Sequence, residues 1–256
     1  MTAADPVVRV AEAPRLLVAL DFDGTLAPLV DEPMSARATP EAAAAITALA
    51  AAPGTTVAFV SGRTIADLRV IAEHDDASPV WLAGSHGAEH WRPAGAPPVD
   101  AGDADGGGGD PDVLAADAEA IVEGCAGAWI ERKAFGFALH TRQADEAAER
   151  EAQRRVDALM AERAPEWRRR TGKRVVEYAW RHEGKDTAIA DLRAATAADA
   201  VLFAGDDVTD EDALRSLAPG DLGIRVGPGE TAADITVSDT RELSVLLDRI
   251  ARIRAD

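Results

Sequence analysis

The sequence predicts an α/β fold: a mainly parallel sheet covered by helices on both faces, with a smaller α+β module inserted into it. Three observations carry this. Short apolar runs alternate with Ala-rich helical stretches, as in a sheet buried on both sides. A glycine and aspartate run from Ala101 to Pro111 interrupts the alternation and is too flexible and polar for a core. After it the pattern changes to alternating strands around one long charged helix before apolar runs resume near Ala200.

Taken in order, residues 16–20, 56–60, 80–83 and 200–204 are apolar runs of strand length, and residues 39–52, 64–73, 185–195, 210–217 and 242–253 read as helices. The module contributes a helix over 113–123, strands over 129–133 and 136–142, a charged helix over 144–163 and a strand over 173–180. This places the core in 1–106 and 181–256, with 107–180 as the inserted module. No internal repeat is present.

With 256 residues and 47% apolar content, the chain can bury a substantial core, which excludes a disordered protein. Its 27 basic and 45 acidic residues give a formal charge of −18. That opposes general affinity for nucleic acid or an anionic membrane, so an anionic substrate needs locally placed cations. Cys125 is the single cysteine, so neither an internal disulfide nor a thiolate zinc cluster can form. No run reaches the ~20 apolar residues that span a bilayer, and the first residues lack a basic start and a long apolar stretch. A cytoplasmic protein without membrane or nucleic-acid partners is expected, as a monomer.

Four segments carry chemistry. Asp21-Phe22-Asp23-Gly24-Thr25 follows the run 16–20 directly, so two carboxylates leave a strand where the chain must turn, the position at which open α/β sheets hold ligands. An Asp-Gly turn alone would also explain it. If Asp21 and Asp23 share a pocket, different surroundings allow one to be an ionised nucleophile and the other a proton carrier. Ser61, at the end of the next run and before Gly62-Arg63-Thr64, either adds a hydroxyl donor to an anion site at a helix start or, like Thr64, caps the helix.

Gly205-Asp206-Asp207-Val208-Thr209-Asp210-Glu211-Asp212 follows the run 200–204. Asp210 suits an N-cap, and Glu211 and Asp212 suit a first helical turn. Adjacent Asp206 and Asp207 repel one another unless a cation intervenes, and carboxylates with substrate phosphate are the usual ligands of Mg²⁺. If the strands before Asp21 and Asp206 are neighbours, both acids emerge at one edge. Lys185, after Glu183-Gly184 at a helix start, is either a solvated charge or the cation that a nucleophilic carboxylate and a phosphoryl group both need.

The order acid pair, hydroxyl, lysine, acid pair resembles the haloacid dehalogenase superfamily of phosphohydrolases. The resemblance implies a Rossmann-like three-layer core with an inserted α+β cap domain, an aspartyl-phosphate intermediate and Mg²⁺. It makes Asp21 the nucleophile and Asp23 the acid that protonates the leaving oxygen and then deprotonates water, with Ser61 and Lys185 holding phosphoryl oxygens. Mg²⁺ would be held by Asp21, the Asp23 carbonyl and Asp206, with Asp207 acting through water or a hydrogen bond.

Gly84-Ser85-His86-Gly87-Ala88-Glu89, Glu131-Arg132-Lys133, His140-Thr141-Arg142, Gly172-Lys173 with Glu177, and Arg63 after Ser61-Gly62 further resemble the trehalose-phosphate phosphatases. That implies trehalose 6-phosphate as substrate, with Arg63, His86, Glu131, Lys133, Arg142 and Glu177 as substrate-binding residues. Positions two apart on a strand share a face, pairing Glu131 with Lys133 and His140 with Arg142. Such pairs suit sugar hydroxyls in a closed cleft, or are exposed salt bridges of little worth. The segment Trp180-Arg181-His182-Glu183-Gly184-Lys185-Asp186 departs from the family's more usual aspartate-lysine-glycine form, leaving Lys173 as an alternative cation. Sucrose phosphate, a glycosyl phosphoglycerate, or a silent sugar-phosphate sensor are the competing readings.

Overall fold

The computed structural model describes residues 5–99, 109–133, 135–172, 174–181 and 183–255. Lys173 and most of the glycine run, including the expected boundary at 106–107, lie outside them. The chain divides into two compact units, Met1–Ala101 with Glu183–Asp256, and Gly102–His182.

The first unit begins with α1 (Pro6–Ala11), capped by the Asp5 carboxylate on the Val7 amide, then β1 (Leu16–Leu20), buried throughout. A 3-10 turn (Pro33–Ser35) leads to α2 (Pro40–Ala51), which starts on a Thr39 cap with proline at its first position, where the missing N–H costs nothing. Then follow β2 (Thr55–Val60), α3 (Ile65–Ile71) capped by Thr64, β3 (Trp81–Gly84), a 3-10 turn (Ser85–Gly87) and β4 (Glu89–Trp91).

The second unit holds α4 (Pro111–Val122), β5 (Trp129–Lys133), β6 (Gly136–His140), α5 (Glu146–Arg163) capped by Asp145, β7 (Arg168–Gly172) and β8 (Val175–Ala179). The first unit resumes with α6 (Lys185–Thr196), β9 (Ala200–Gly205), a 3-10 turn (Val208–Asp210), α7 (Glu211–Ser216), β10 (Leu222–Val226), β11 (Ile235–Val237) and α8 (Thr240–Ala255).

The first unit's sheet runs β11-β10-β9-β1-β2-β3-β4, with all neighbours parallel except β3 and β4. Alternate residues of β1 divide between two cores. Leu16, Val18 and Leu20 join residues of α1, α2, α3 and α8 on one face, and Leu17 and Ala19 join those of α6 and α7 on the other. This is the strand period of two with both faces covered, hence three layers. β1 pairs with β2 on one side and β9 on the other, Leu20 lying in register with both Phe59 and Ala204. The strands that lead into Asp21 and Asp206 are therefore neighbours.

The second unit's sheet, β5-β6-β8-β7, is antiparallel. Phe137, Leu139, Val176 and Tyr178 pack on α4 and α5 through Leu114, Ala118, Val156 and Met160. Alternation turns Trp129, Glu131, Lys133, His140 and Glu177 to the opposite face.

Several expectations need correction. The strand expected over 173–180 is β8, Val175–Ala179, but the preceding β7, Arg-Arg-Arg-Thr-Gly, escaped notice because an edge strand of this polarity has no apolar alternation to read. β6 stops at His140, so Arg142 lies beyond it and does not share a strand face with His140. α1, β4, β10 and β11 were also not foreseen, all of them six residues or fewer. Among the described residues no helix is long and apolar enough to cross a membrane.

Candidate active site

β1 delivers Asp21 at its C-terminal end, where the Asp21 amide donates to Ala204 O on β9 at 2.9 Å. The chain turns at once through Gly24, whose φ of +81° is left-handed. A Cβ there would also stand 2.1 Å from Asp206 Oδ2, so only glycine lets the two acidic segments approach so closely. Gly205 has the matching role at the end of β9, where a Cβ would lie 2.3 Å from Asp210 Cγ.

α6 begins at Lys185, which is not a solvated charge. Its Nζ donates to Asp21 Oδ1 at 2.6 Å and Asp210 Oδ1 at 2.5 Å, and all three side chains are buried. Burial works against the ammonium, but the Asp21 and Asp210 carboxylates outweigh it and hold Lys185 above its ordinary pKa. Asp21 is pushed well above the usual range, first by burial and then, against the pull of Lys185, by Asp210 and Asp206. Burial and Asp210 raise Asp206 to about 6. Thr25 Oγ1 donates to Asp206 Oδ1 at 3.4 Å.

Oxygens of Asp21, Asp206 and Asp210 all lie within 4.8 Å of one another. Those of Asp210 are already engaged, Oδ1 by Lys185 and Oδ2 by the Asp206 and Asp207 amides at 3.0 and 2.9 Å. Asp21 and Asp206 are left as an all-oxygen donor pair whose negative charge is disfavoured by burial, a set that fits a hard divalent cation.

Asp210 stands at the expected N-cap position of α7 but its side chain makes no cap bond there, and it is Asp207 that caps the preceding 3-10 turn, accepting from the Val208 amide at 2.7 Å. The Asp207 side chain is exposed, and its charge adds to the effects that raise Asp206. The role of Asp210 was masked by that plausible capping account. The signal was the four-residue spacing, which folds its carboxylate back onto the Asp206 amide.

Asp23 is gripped by Arg63, Nε to Oδ2 at 2.6 Å and Nη2 to Oδ1 at 2.7 Å. Ser61 ends β2 buried, its Oγ accepting from the Arg63 amide at 3.1 Å. Ser61 does not cap α3; Thr64 does. His86 is left-handed at φ 60° and its amide donates to Ser61 O at 2.9 Å, with the ring so near Gly62 that a Cβ there would come within 2.7 Å. The first unit thus brings together Asp21, Asp23, Ser61, Arg63, His86, Lys185 and Asp206 around the ends of β1, β2 and β9.

On the second unit's open face, Lys133 Nζ and Glu131 Oε1 are 2.6 Å apart, as are His140 Nε2 and Glu131 Oε2. The His140 bond first, then the Lys133 bond, against some burial, hold Glu131 down at about 2. His140 stacks on Trp129 with centroids 4.9 Å apart. Glu131, Ala138, Glu177 and Arg170 share one row across the sheet, putting two carboxylates on either side of a small residue. Arg142 is exposed and outside this row.

The family model of the trehalose-phosphatases matches residues 19–242. The chain belongs to the trehalose-phosphatase family. Within it, the chain is 32% identical over 263 residues to the trehalose-phosphate phosphatase of Mycobacterium marinum, covering 93% of this chain and 62% of that protein. The chain thus spans under two thirds of that relative's length. In fold this family member is similar to the C-terminal domain of Candida albicans trehalose-6-phosphate phosphatase, with TM-score 0.76 and 21% identity over 96% of this chain and 95% of the other. It also resembles a haloacid dehalogenase-like hydrolase from B. subtilis, with TM-score 0.56 and 15% identity over 90% and 97% of the two chains. A trehalose-phosphatase family member with this sheet and an inserted second unit has the α/β core and cap of the haloacid dehalogenase fold.

Proposed function

We propose that the chain is a Mg²⁺-dependent phosphatase that hydrolyses trehalose 6-phosphate to trehalose and phosphate through an aspartyl-phosphate intermediate. The observation that carries this is the buried contact of Lys185 with Asp21, next to Asp206 and two residues from Asp23. It sets a carboxylate nucleophile beside a fixed cation, with a second carboxyl in the same turn.

An Asp21 carboxylate oxygen attacks phosphorus, the bond to the sugar oxygen breaks, and Asp23 gives that oxygen its proton. Asp23 then takes a proton from water, whose oxygen attacks the phosphorus of the Asp21 acyl phosphate. The bond to Asp21 breaks, returning the carboxylate and releasing phosphate. Lys185 and the Ser61 hydroxyl hold phosphoryl oxygens in line, the positioning on which phosphoryl transfer chiefly depends. Asp21, Asp206 and the Asp23 carbonyl would hold Mg²⁺, with Asp207 acting through water or a hydrogen bond, and the cation would supply neutralisation of charge on the phosphoryl group. Asp23 also sorts the reaction type, since departure of a sugar alkoxide needs a general acid whereas departure of a halide does not.

The sugar hydroxyls are assigned to Glu131, Lys133 and Glu177, whose shared face with Trp129 and His140 offers acceptors, a cation and an aromatic surface. Arg63, His86 and Arg142 complete the assigned substrate-binding set. The place of action is the cytoplasm.

The test is phosphate release from trehalose 6-phosphate beside glucose 6-phosphate and sucrose 6-phosphate, with and without chelator. Preferential, chelator-sensitive turnover of the first supports the assignment. Preference for sucrose 6-phosphate replaces the substrate, and no release from any of them leaves a sugar-phosphate sensor.

A further inference from the structure

We propose that Arg225, through its buried pair with Glu211, is a positioning residue for the turn that carries Asp206, so that its loss weakens divalent-cation binding. This rests on the reading of Asp21 and Asp206 as metal ligands.

β10 is buried along its length, yet its fourth residue is an arginine. Arg225 Nη1 donates both to the Asp207 carbonyl at 3.1 Å and to Glu211 Oε1 at 3.2 Å, and Nη2 donates to Pro228 O at 3.5 Å. Glu211 Oε2 in turn accepts from the Ala232 amide at 2.9 Å. The pair therefore joins three segments: the turn after β9, the first turn of α7 and the connection from β10 to β11. Gly229 leaves room for it, since a Cβ there would approach Nη2 to 3.0 Å.

A buried ion pair is weak evidence for stability, because a well-packed apolar replacement often does as well. What this one does that an apolar pair cannot is hold a backbone carbonyl. The Asp207 residue is fastened at both ends, its amide by Asp210 at 2.9 Å and its carbonyl by Arg225. With the chain on one side of Asp206 so restrained, its carboxylate is aimed at Asp21 before any cation arrives. The hydrogen bonds of Arg225 go to none of Asp21, Asp23, Ser61 or Lys185, so the effect falls on the metal rather than on the reacting groups. Groups that orient metal ligands typically change affinity by about 10–100-fold when removed.

The experiment is calorimetric titration of the full chain with Mg²⁺ alone, in wild type, Arg225→Met, Arg225→Lys, Glu211→Gln and Asp206→Asn, with circular dichroism as the fold check. The expected result is a dissociation constant about 10-fold higher in Arg225→Met and a smaller rise in Arg225→Lys, which keeps the charge but not the fork. The KM for p-nitrophenyl phosphate at saturating Mg²⁺ should stay unchanged. Glu211→Gln and Arg225→Lys give the answer should Arg225→Met not fold. An unchanged constant in the folded variants, with affinity lost in Asp206→Asn, overturns the role of Arg225 alone. An unchanged constant in Asp206→Asn overturns the metal-site reading beneath it.

Discussion

Arg63 closes on Asp23 as a fork, with N···O distances of 2.6 and 2.7 Å, while Nη2 of the same guanidinium donates to Pro33 O at 2.8 Å. Each oxygen of the proposed proton carrier thus accepts one bond from Arg63, which orients the carboxyl and leaves each oxygen a second lone pair for a leaving group or water.

Asp23→Asn separates the two halves of the reaction. The amide still accepts one bond from Arg63, so folding should be preserved. Turnover of trehalose 6-phosphate should fall by about 10²–10⁴-fold for lack of a general acid. p-Nitrophenyl phosphate, whose leaving group departs unaided, should give one equivalent of nitrophenol in a rapid-quench burst and then stall for lack of a base. Steady turnover at the wild-type rate would remove Asp23 from the mechanism.

The buried triad predicts opposite stability effects for its members. Lys185→Met leaves the buried Asp21 and Asp210 without their shared cation and should cost about 3–5 kcal/mol. Asp21→Asn removes a carboxylate whose charged form burial already disfavours, while Lys185 keeps Asp210. It should be at least as stable as wild type yet turn over nothing. Urea midpoints of the two variants, measured beside phosphate release, decide the point.

Gly24→Ala should disturb Asp206 directly, because the added carbon meets its carboxylate and the backbone is left-handed there. A cost of about 1 kcal/mol or more is expected from the backbone alone, together with a lost thermal shift on adding Mg²⁺. Wild-type crystallographic positions and an intact Mg²⁺ shift in the variant would contradict the crowding described for this turn.

Glu131 predicts a pH dependence. Its carboxyl is held at about 2 against an ordinary value of 4.5, so its stabilising contribution is complete above pH 4.5 and disappears as the pH falls through about 2. The stability difference between wild type and Glu131→Gln should be constant above pH 5 and vanish near pH 2, as read by denaturant midpoints, following the same linkage. A side chain 45% exposed keeps the effect modest. A difference that persists at pH 2 would mean that the Lys133 and His140 bonds do not depend on ionisation.

The segments of Asp21, Ser61 and Asp206, to which chemistry is assigned in the proposal, were readable because each follows an apolar run that is also a strand. β1 spans the expected residues 16–20, and β9 those expected plus Gly205. A buried parallel strand has one local signature and few competitors. What could not be read was partnership. Nothing local tells that Arg63 faces Asp23, forty positions away, or that Asp210 turns inward while Asp207 takes the cap. Likewise Glu131 meets His140 because their strands are antiparallel neighbours in a register that only folding decides. β7 and β10 were missed for opposite reasons, the first because three arginines hide a strand, the second because a buried arginine interrupts one.

β1 and β9 lie side by side although Leu16 and its partner Ala200 are 184 positions apart, and the whole second unit is encoded between them. During synthesis from the N-terminus, the second unit can close its own core while β1 still has one flank unpaired, waiting for a strand the ribosome has not yet made. Asp21, the proposed nucleophile at the tip of β1, is therefore among the last groups to reach its final surroundings. A nascent chain halted before β9 should expose β1 amides to hydrogen exchange while protecting those of β6 and β8.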